Sequence, residues 1–196
     1  MPRRLYLISH PNVVVDPAVP VPEWSLSEVG LERMRRGLSQ PWIKDVTAVY
    51  SSTERKAIET AEILGDHLRL AVRHVHALGE NDRSTTGFLP PPEFEAMADA
   101  FFAHPETSVR GWERAVDAQS RIVEAIREIA ASDRTAGAIA IVSHGAVGTL
   151  LYCHLARKPI SRRWDQPANG GGNFCAFDVG ESPHAGWWQA IDRIAT

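Results

Sequence analysis

The chain has 196 residues, 44% hydrophobic and 23% charged, a length and balance that suit one α/β domain with a substantial core. A net charge of −3 gives no electrostatic reason to expect nucleic acid as a partner, and no apolar run approaches the roughly 20 residues needed to cross a bilayer. The two cysteines, Cys153 and Cys175, make no disulfide framework, and the N-terminal Met-Pro-Arg-Arg lacks a signal-type core; together these predict a cytoplasmic protein.

In chain order, Leu5 to Ile8 reads as a buried strand that stops at Ser9-His10-Pro11-Asn12, a turn. Residues 16–24, "DPAVPVPEW", hold three prolines and predict an irregular loop. A helix follows, capped by Ser25 or Ser27, with Val29, Leu31, Met34 and Leu38 near helical spacing. Val46 to Tyr50 is a second buried strand, Thr53 to Leu68 a helix with Ala57, Ala61, Ile63 and Leu64 on one face, and Val72 to Ala77 a short strand. The polar, proline-rich stretch from Gly79 breaks this alternation, so residues 81–110 are expected as an insertion over the active site carrying one short helix, "PEFEAMADAFFAH". A long helix is predicted from Gly111 or Trp112 to Ala131, then a strand "AIAIVSHG" ending in His144, a helix from Ala146 to Ala156, a late strand "NFCAFDV" and a last one within 188–194. Strands alternating with helices predict a three-layer α/β/α fold with a mostly parallel central sheet, all of 1–196 forming one domain. The six tryptophans read as core or interface residues.

Two strands share a local setting. "LYLISHPN" and "AIAIVSHGAV" each run apolar into Ser-His and then a turn-prone residue. Ligands of open α/β sheets gather at the carboxyl ends of strands, so neighbouring strands would bring His10 and His144 to one pocket. A neutral imidazole can attack phosphorus, a second can hydrogen-bond the transferring oxygens, and the helix opening at Gly145 offers amides and a positive dipole end. Glu80, in a polar loop, can protonate a leaving alcohol. No His-x-x-x-His or Cys-x-x-Cys spacing lies near either histidine, so neither metal nor cofactor is expected. His67, His74, His76, His104, His154 and His184 lack such settings and read as surface or structural residues. Glu59 sits one turn past Arg55 and fits an i,i+4 pair with it.

These segments, with "WSLSEVGLERM", "YSSTERKAIETAEIL" and "ALGENDR" in order between them, resemble the histidine phosphatase superfamily, with its phosphoglycerate mutase-like fold, over nearly the whole chain. The resemblance implies phosphoryl transfer, as a phosphatase rather than a mutase, with His10 as phosphate acceptor, Glu80 as proton donor and His144 as a phosphoryl-holding residue. It implies a small phosphorylated metabolite or a phosphoprotein as partner, including a phosphohistidine protein. Oligomeric state is not encoded in any of these features.

The departures fall in the phosphate pocket. Ser9 stands where the family places Arg before the nucleophile, Pro11 replaces Gly, and Lys56 takes the Arg position of the Ser-Ser motif. Arg grips a phosphoryl group with two parallel bonds, whereas Ser brings one neutral donor and Lys a point charge. Ser9, Asn12, Lys56, Arg83 and Gly145 are the expected phosphate-binding set, with Arg83 entering from the loop above; Arg55 could reach the pocket only if the helix were rotated. Glu113, in "RGWERA", loosely matches a Gly-Glu-Ser segment of the family and is otherwise a helix-start carboxylate. A catalytically weak phosphate- or phosphopeptide-binding module is the alternative.

Overall fold

The computed structural model describes residues 3–180, 183 and 187–194, so the expectation for His184 lies outside the described residues. The apolar runs form strands β1 (Arg4–Ser9), β2 (Val46–Ser51), β3 (Val72–His74), β4 (Ala138–Ser143), β5 (Asn173–Asp178) and β6 (Gln189–Ala190), in the sheet order β3-β2-β4-β1-β5-β6. The first four are parallel; β5 runs antiparallel to β1, and β6 to β5. Between them lie helices α1 (Glu28–Gly37), α2 (Arg55–Leu68), α3 (Pro91–Ala103), α4 (Ala115–Ser132) and α5 (Gly145–Leu155).

Side-chain alternation along the strands divides the core in two. Leu5, Leu7, Ile139 and Ile141 face Phe101, Ile122 and Leu150, while Tyr6, Ile8, Ala140 and Val142 face Met34, Ala61 and Leu64. A sheet buried on both faces explains why its central strands read as unbroken apolar runs rather than alternating ones. Ser27 caps α1, its hydroxyl accepting from Gly30 N at 3.2 Å.

Four elements depart from the sequence reading. α4 begins at Ala115, because Arg110 (φ 49°) and Gly111 (φ 83°) form a left-handed turn that drives Trp112 into the core, its Nε1 donating to Thr86 Oγ1 at 2.8 Å. β3 stops at His74 and β6 has two residues. Helix α3, in the expected insertion, sends Met97, Phe101 and Phe102 into the same core as Leu5 and Ile139, so that segment is partly a layer of the body. Both cysteines are free and buried, and no helix among the described residues is long and apolar enough to cross a membrane.

The site depends on register. β1 and β4 pair from Leu5↔Ile139 to Ser9↔Ser143, so His10 and His144 leave adjacent strands at the same level, and His10 N donates to Ser143 O at 3.3 Å. The turn after β1 is clasped by Gly171 (φ 78°), where a Cβ would lie 2.2 Å from His10 O. Gly171→Ala is therefore expected to cost about 2–4 kcal/mol, the left-handed penalty plus overpacking. Gly87→Ala, at φ 60° with nothing within 4 Å of a Cβ, should show the backbone penalty alone, about 1–2 kcal/mol. Urea unfolding of the two variants checks the difference.

Candidate active site

The two imidazoles meet edge to face, with ring centroids 5.2 Å apart. His10 Nδ1 lies 2.9 Å from Pro11 O. A carbonyl only accepts, so the proton sits on Nδ1 and Nε2 keeps its lone pair. Burial, reinforced by the nearby Lys56 ammonium, lowers the His10 pKa to about 4. His144 is fully buried; its Nε2 is 2.7 Å from Ser52 Oγ, and its Nδ1 has no partner among the described residues. Burial holds it well below its ordinary value against the pull of Glu54, so both rings are neutral near pH 7.

Glu80 reaches the start of α5. Its Oε1 accepts from Val147 N at 3.1 Å and its Oε2 from Ala146 N at 3.3 Å. The amides expected to meet phosphate are thus engaged by a carboxylate, the anion that a helix N-terminus favours. Burial, and secondarily the negative charge of Glu54, raise the Glu80 pKa despite Arg83 and these two amides. Such a carboxyl can carry a proton nearer neutrality than an exposed glutamate.

Lys56 is buried and turned inward, its Nζ donating to Val21 O at 2.8 Å and to Glu54 Oε2 at 2.5 Å. Glu54, which the sequence reading did not single out, also lies 3.3 Å from His144 Nε2 through Oε1, and that oxygen accepts from Glu80 N at 2.8 Å. Burial alone would raise this carboxyl; contacts with His144, Lys56 and the Glu80 amide bring its pKa down to about 2. The motif gives no signal for it, because position 54 is one of the unspecified residues between Ser52 and Lys56.

Ser9 has other employment than a phosphate. Its Oγ donates to Gln166 Oε1 at 2.7 Å and accepts from Asn173 N at 3.1 Å, and Asn173 Nδ2 donates to the same Gln166 oxygen at 3.0 Å. A single hydroxyl hydrogen, once given to Gln166, leaves no second donor. Gln166 also explains Gly145, where a Cβ would stand 2.3 Å from Gln166 Nε2. Asn12 Oδ1 accepts from Arg33 Nη1 at 2.8 Å, and Arg33 in turn pairs with Asp192 at 3.1 Å. Arg83 stacks on Phe94, 4.9 Å from the ring centroid, and its charge acts on His10, His144 and Glu80. Arg55 points away, pairing with Glu59 at 2.9 Å as its i,i+4 spacing predicts.

A cavity of about 660 Å³ adjoins this cluster, with Glu54, Glu80, Asn81, Arg83, Glu113 and Arg121 among its lining residues. Arg121 is fixed by Glu113 at 2.7 Å and by the carbonyls of Ala77, Gly79 and Glu80, so it braces the loop that presents Glu80. Glu113 is therefore a partner of that arginine and a cavity residue, and not a helix-start carboxylate, since it precedes the Arg114 N-cap of α4, whose first turn carries Asp117. Asn81 Nδ2 is buried with no partner among the described residues, and His76 also reaches the cavity. Asn81 was not singled out by sequence, and His76, read there as a surface or structural residue, is exposed at the cavity's edge. Among the described residues no three His, Cys, Asp or Glu side chains gather as a metal-binding group.

The three-layer fold gathers two strand-end histidines, a loop glutamate and a buried lysine into one cluster. Residues 18–182 match the histidine phosphatase superfamily (branch 1), and the chain belongs to that family. The match begins after His10, so Ser9, His10 and Pro11 fall outside it. Among solved structures, a mycobacterial glucosyl-3-phosphoglycerate phosphatase in complex with inorganic phosphate is 21% identical, with 97% of this chain and 99% of that one covered and a TM-score of 0.77. YhfR of Bacillus stearothermophilus is 25% identical over 96% of this chain and 95% of its own, TM-score 0.74. Mycobacterial hydrolase 2 is 22% identical over 99% and 93%, TM-score 0.75. No protein of curated function matches the chain by sequence.

Ser9→Ala should lower stability by about 1–3 kcal/mol, because it leaves the buried Asn173 N–H without its acceptor and removes a donor from the half-buried Gln166. Thermal or urea unfolding measures it; an unchanged midpoint would show that Ser9 does not hold this network.

Proposed function

We propose that the protein is a metal-independent phosphatase acting on a phosphorylated small molecule through a phosphohistidine at His10. The observation that carries this reading is the His10 ring itself, neutral near pH 7, with Nδ1 tied to Pro11 O, Nε2 unprotonated and His144 edge-on beside it. His10 Nε2 attacks phosphorus as the ester P–O bond breaks, and the protonated Glu80 carboxyl gives its proton to the departing oxygen. Lys56 and His144 hold the phosphoryl oxygens, with Arg83 adding positive charge from the loop. Water then attacks phosphorus and loses a proton to Glu80, the P–N bond breaks, and the lone pair returns to His10. The fold shared with a phosphatase that binds inorganic phosphate supports the substrate class.

A second reading, a phosphate-binding module of weak or no catalysis, is favoured by one specific arrangement: Ser9 is committed to Gln166, and Lys56 to Glu54. The two readings separate by turnover. Loss of one oxyanion-type donor costs on the order of a hundred- to a thousandfold, so a slow enzyme and a binder differ in whether His10 becomes phosphorylated at all.

With radiolabelled phosphoester, acid-sensitive label should appear on the wild type and vanish in His10→Ala; equal label in both sinks the assignment. The pH profile of kcat/KM should hold down to about 4 and fall below it, since protonation of His10 removes the attacking lone pair. The alkaline limb should follow deprotonation of Glu80, above the ordinary carboxylate range. Glu80→Gln should slow an alkyl phosphate by roughly a hundred- to ten-thousandfold, and p-nitrophenyl phosphate far less because its leaving group needs no proton.

A further inference from the structure

Glu54 is, among the described residues, the ionised carboxylate that touches both groups assigned to the phosphoryl oxygens. Its Oε2 takes the Lys56 ammonium at 2.5 Å; its Oε1 lies 3.3 Å from His144 Nε2 and takes the Glu80 amide at 2.8 Å. An ammonium, an imidazole and a backbone N–H converging on a pair of oxygens make an arrangement that suits a phosphoryl group. Here a side chain of the protein meets them.

We propose that Glu54 is a specificity-determining residue, whose carboxylate occupies the phosphoryl-oxygen seat at Lys56 and His144 and so disfavours dianionic phosphate. This rests on reading Lys56 and His144 as the phosphoryl-holding pair. The charge balance follows directly. Lys56 and Glu54 cancel, His10 and His144 are neutral, Arg121 is paired with Glu113, and Arg83 acts on the cluster from the loop above. A dianion entering that seat meets a negative charge at contact distance in a partly desolvated place, where like charges discriminate strongly. Mild acid gives no relief, because Glu54 stays ionised down to about pH 2. The sheet and α2 hold the carboxylate in place: it precedes the first residue of the helix, and its backbone carbonyl accepts from Ala57 N at 2.9 Å and Ile58 N at 3.0 Å.

The test is calorimetric titration of inorganic phosphate at pH 7 into wild type, Glu54→Gln and Glu54→Leu, with Glu62→Gln as control, an exposed residue of the same helix. Removing the charge should tighten phosphate on the order of ten- to a hundredfold in both Glu54 variants and leave the control at the wild-type value. The isosteric Glu54→Gln keeps an acceptor for the Glu80 amide. Should either variant be too unstable to titrate, phosphate should raise its Tm by more than it raises that of the wild type. Unchanged or weaker phosphate binding, or an equal Tm response, overturns the proposal. Phosphohistidine trapping is run on the same proteins to keep the two readings apart. Label on wild-type His10 with no gain in phosphate affinity defeats the role of Glu54 alone. Tighter phosphate in Glu54→Gln with no label on any variant supports that role and defeats the phosphatase.

Discussion

The parallel ladder between β1 and β4 is the constraint on which the site depends. Ser9 pairs with Ser143, and because side chains alternate along a strand, a slip of one residue would exchange the two faces and separate the imidazoles that follow. The register is enforced from both sides. Leu5, Leu7, Ile139 and Ile141 are buried against α3, α4 and α5, and Tyr6, Ile8, Ala140 and Val142 against α1 and α2. Two independent cores thus specify one alignment, and the meeting of His10 with His144 is a by-product of packing the sheet.

Around that pair the electrostatics are unusual for an anion site. Burial keeps both rings neutral, which suits a nucleophile but removes two positive charges that protonation would have supplied. Lys56 is paired internally, and the start of α5 faces Glu80. Each choice is locally favourable: a buried ammonium needs a counter-charge, and a helix N-terminus needs an acceptor. The sum is a pocket in which the protein already satisfies most of its own donors.

The Ser9 position is a polar joint inside the fold. Serine fills a small, buried place between β1 and β5, and the polar atoms left there are joined by Gln166 and Asn173 into a closed network. Gly145 gives Gln166 room to approach. Such a network has to be satisfied as a whole, so replacing Ser9 with the longer arginine would disturb both of its partners, Gln166 and Asn173, at once.

The sequence by itself determined the strand–helix alternation, the ends of β1 and β4 at histidines, and the motif order that includes Glu80. Those features are local: apolar runs, Ser-His steps and helix periodicity are written in consecutive residues. Arg55 and Glu59 were legible for the same reason, four residues apart on one helix. The tertiary structure alone decided that Ser9 serves Gln166, 157 positions away, that Lys56 is paired rather than free, and that Glu54 lies against His144. It also decided that Arg110 and Gly111 break the approach to α4 so that Trp112 can be buried. A donor's partner is chosen by what other segments bring within about 3 Å of it, and no periodicity in the chain records that.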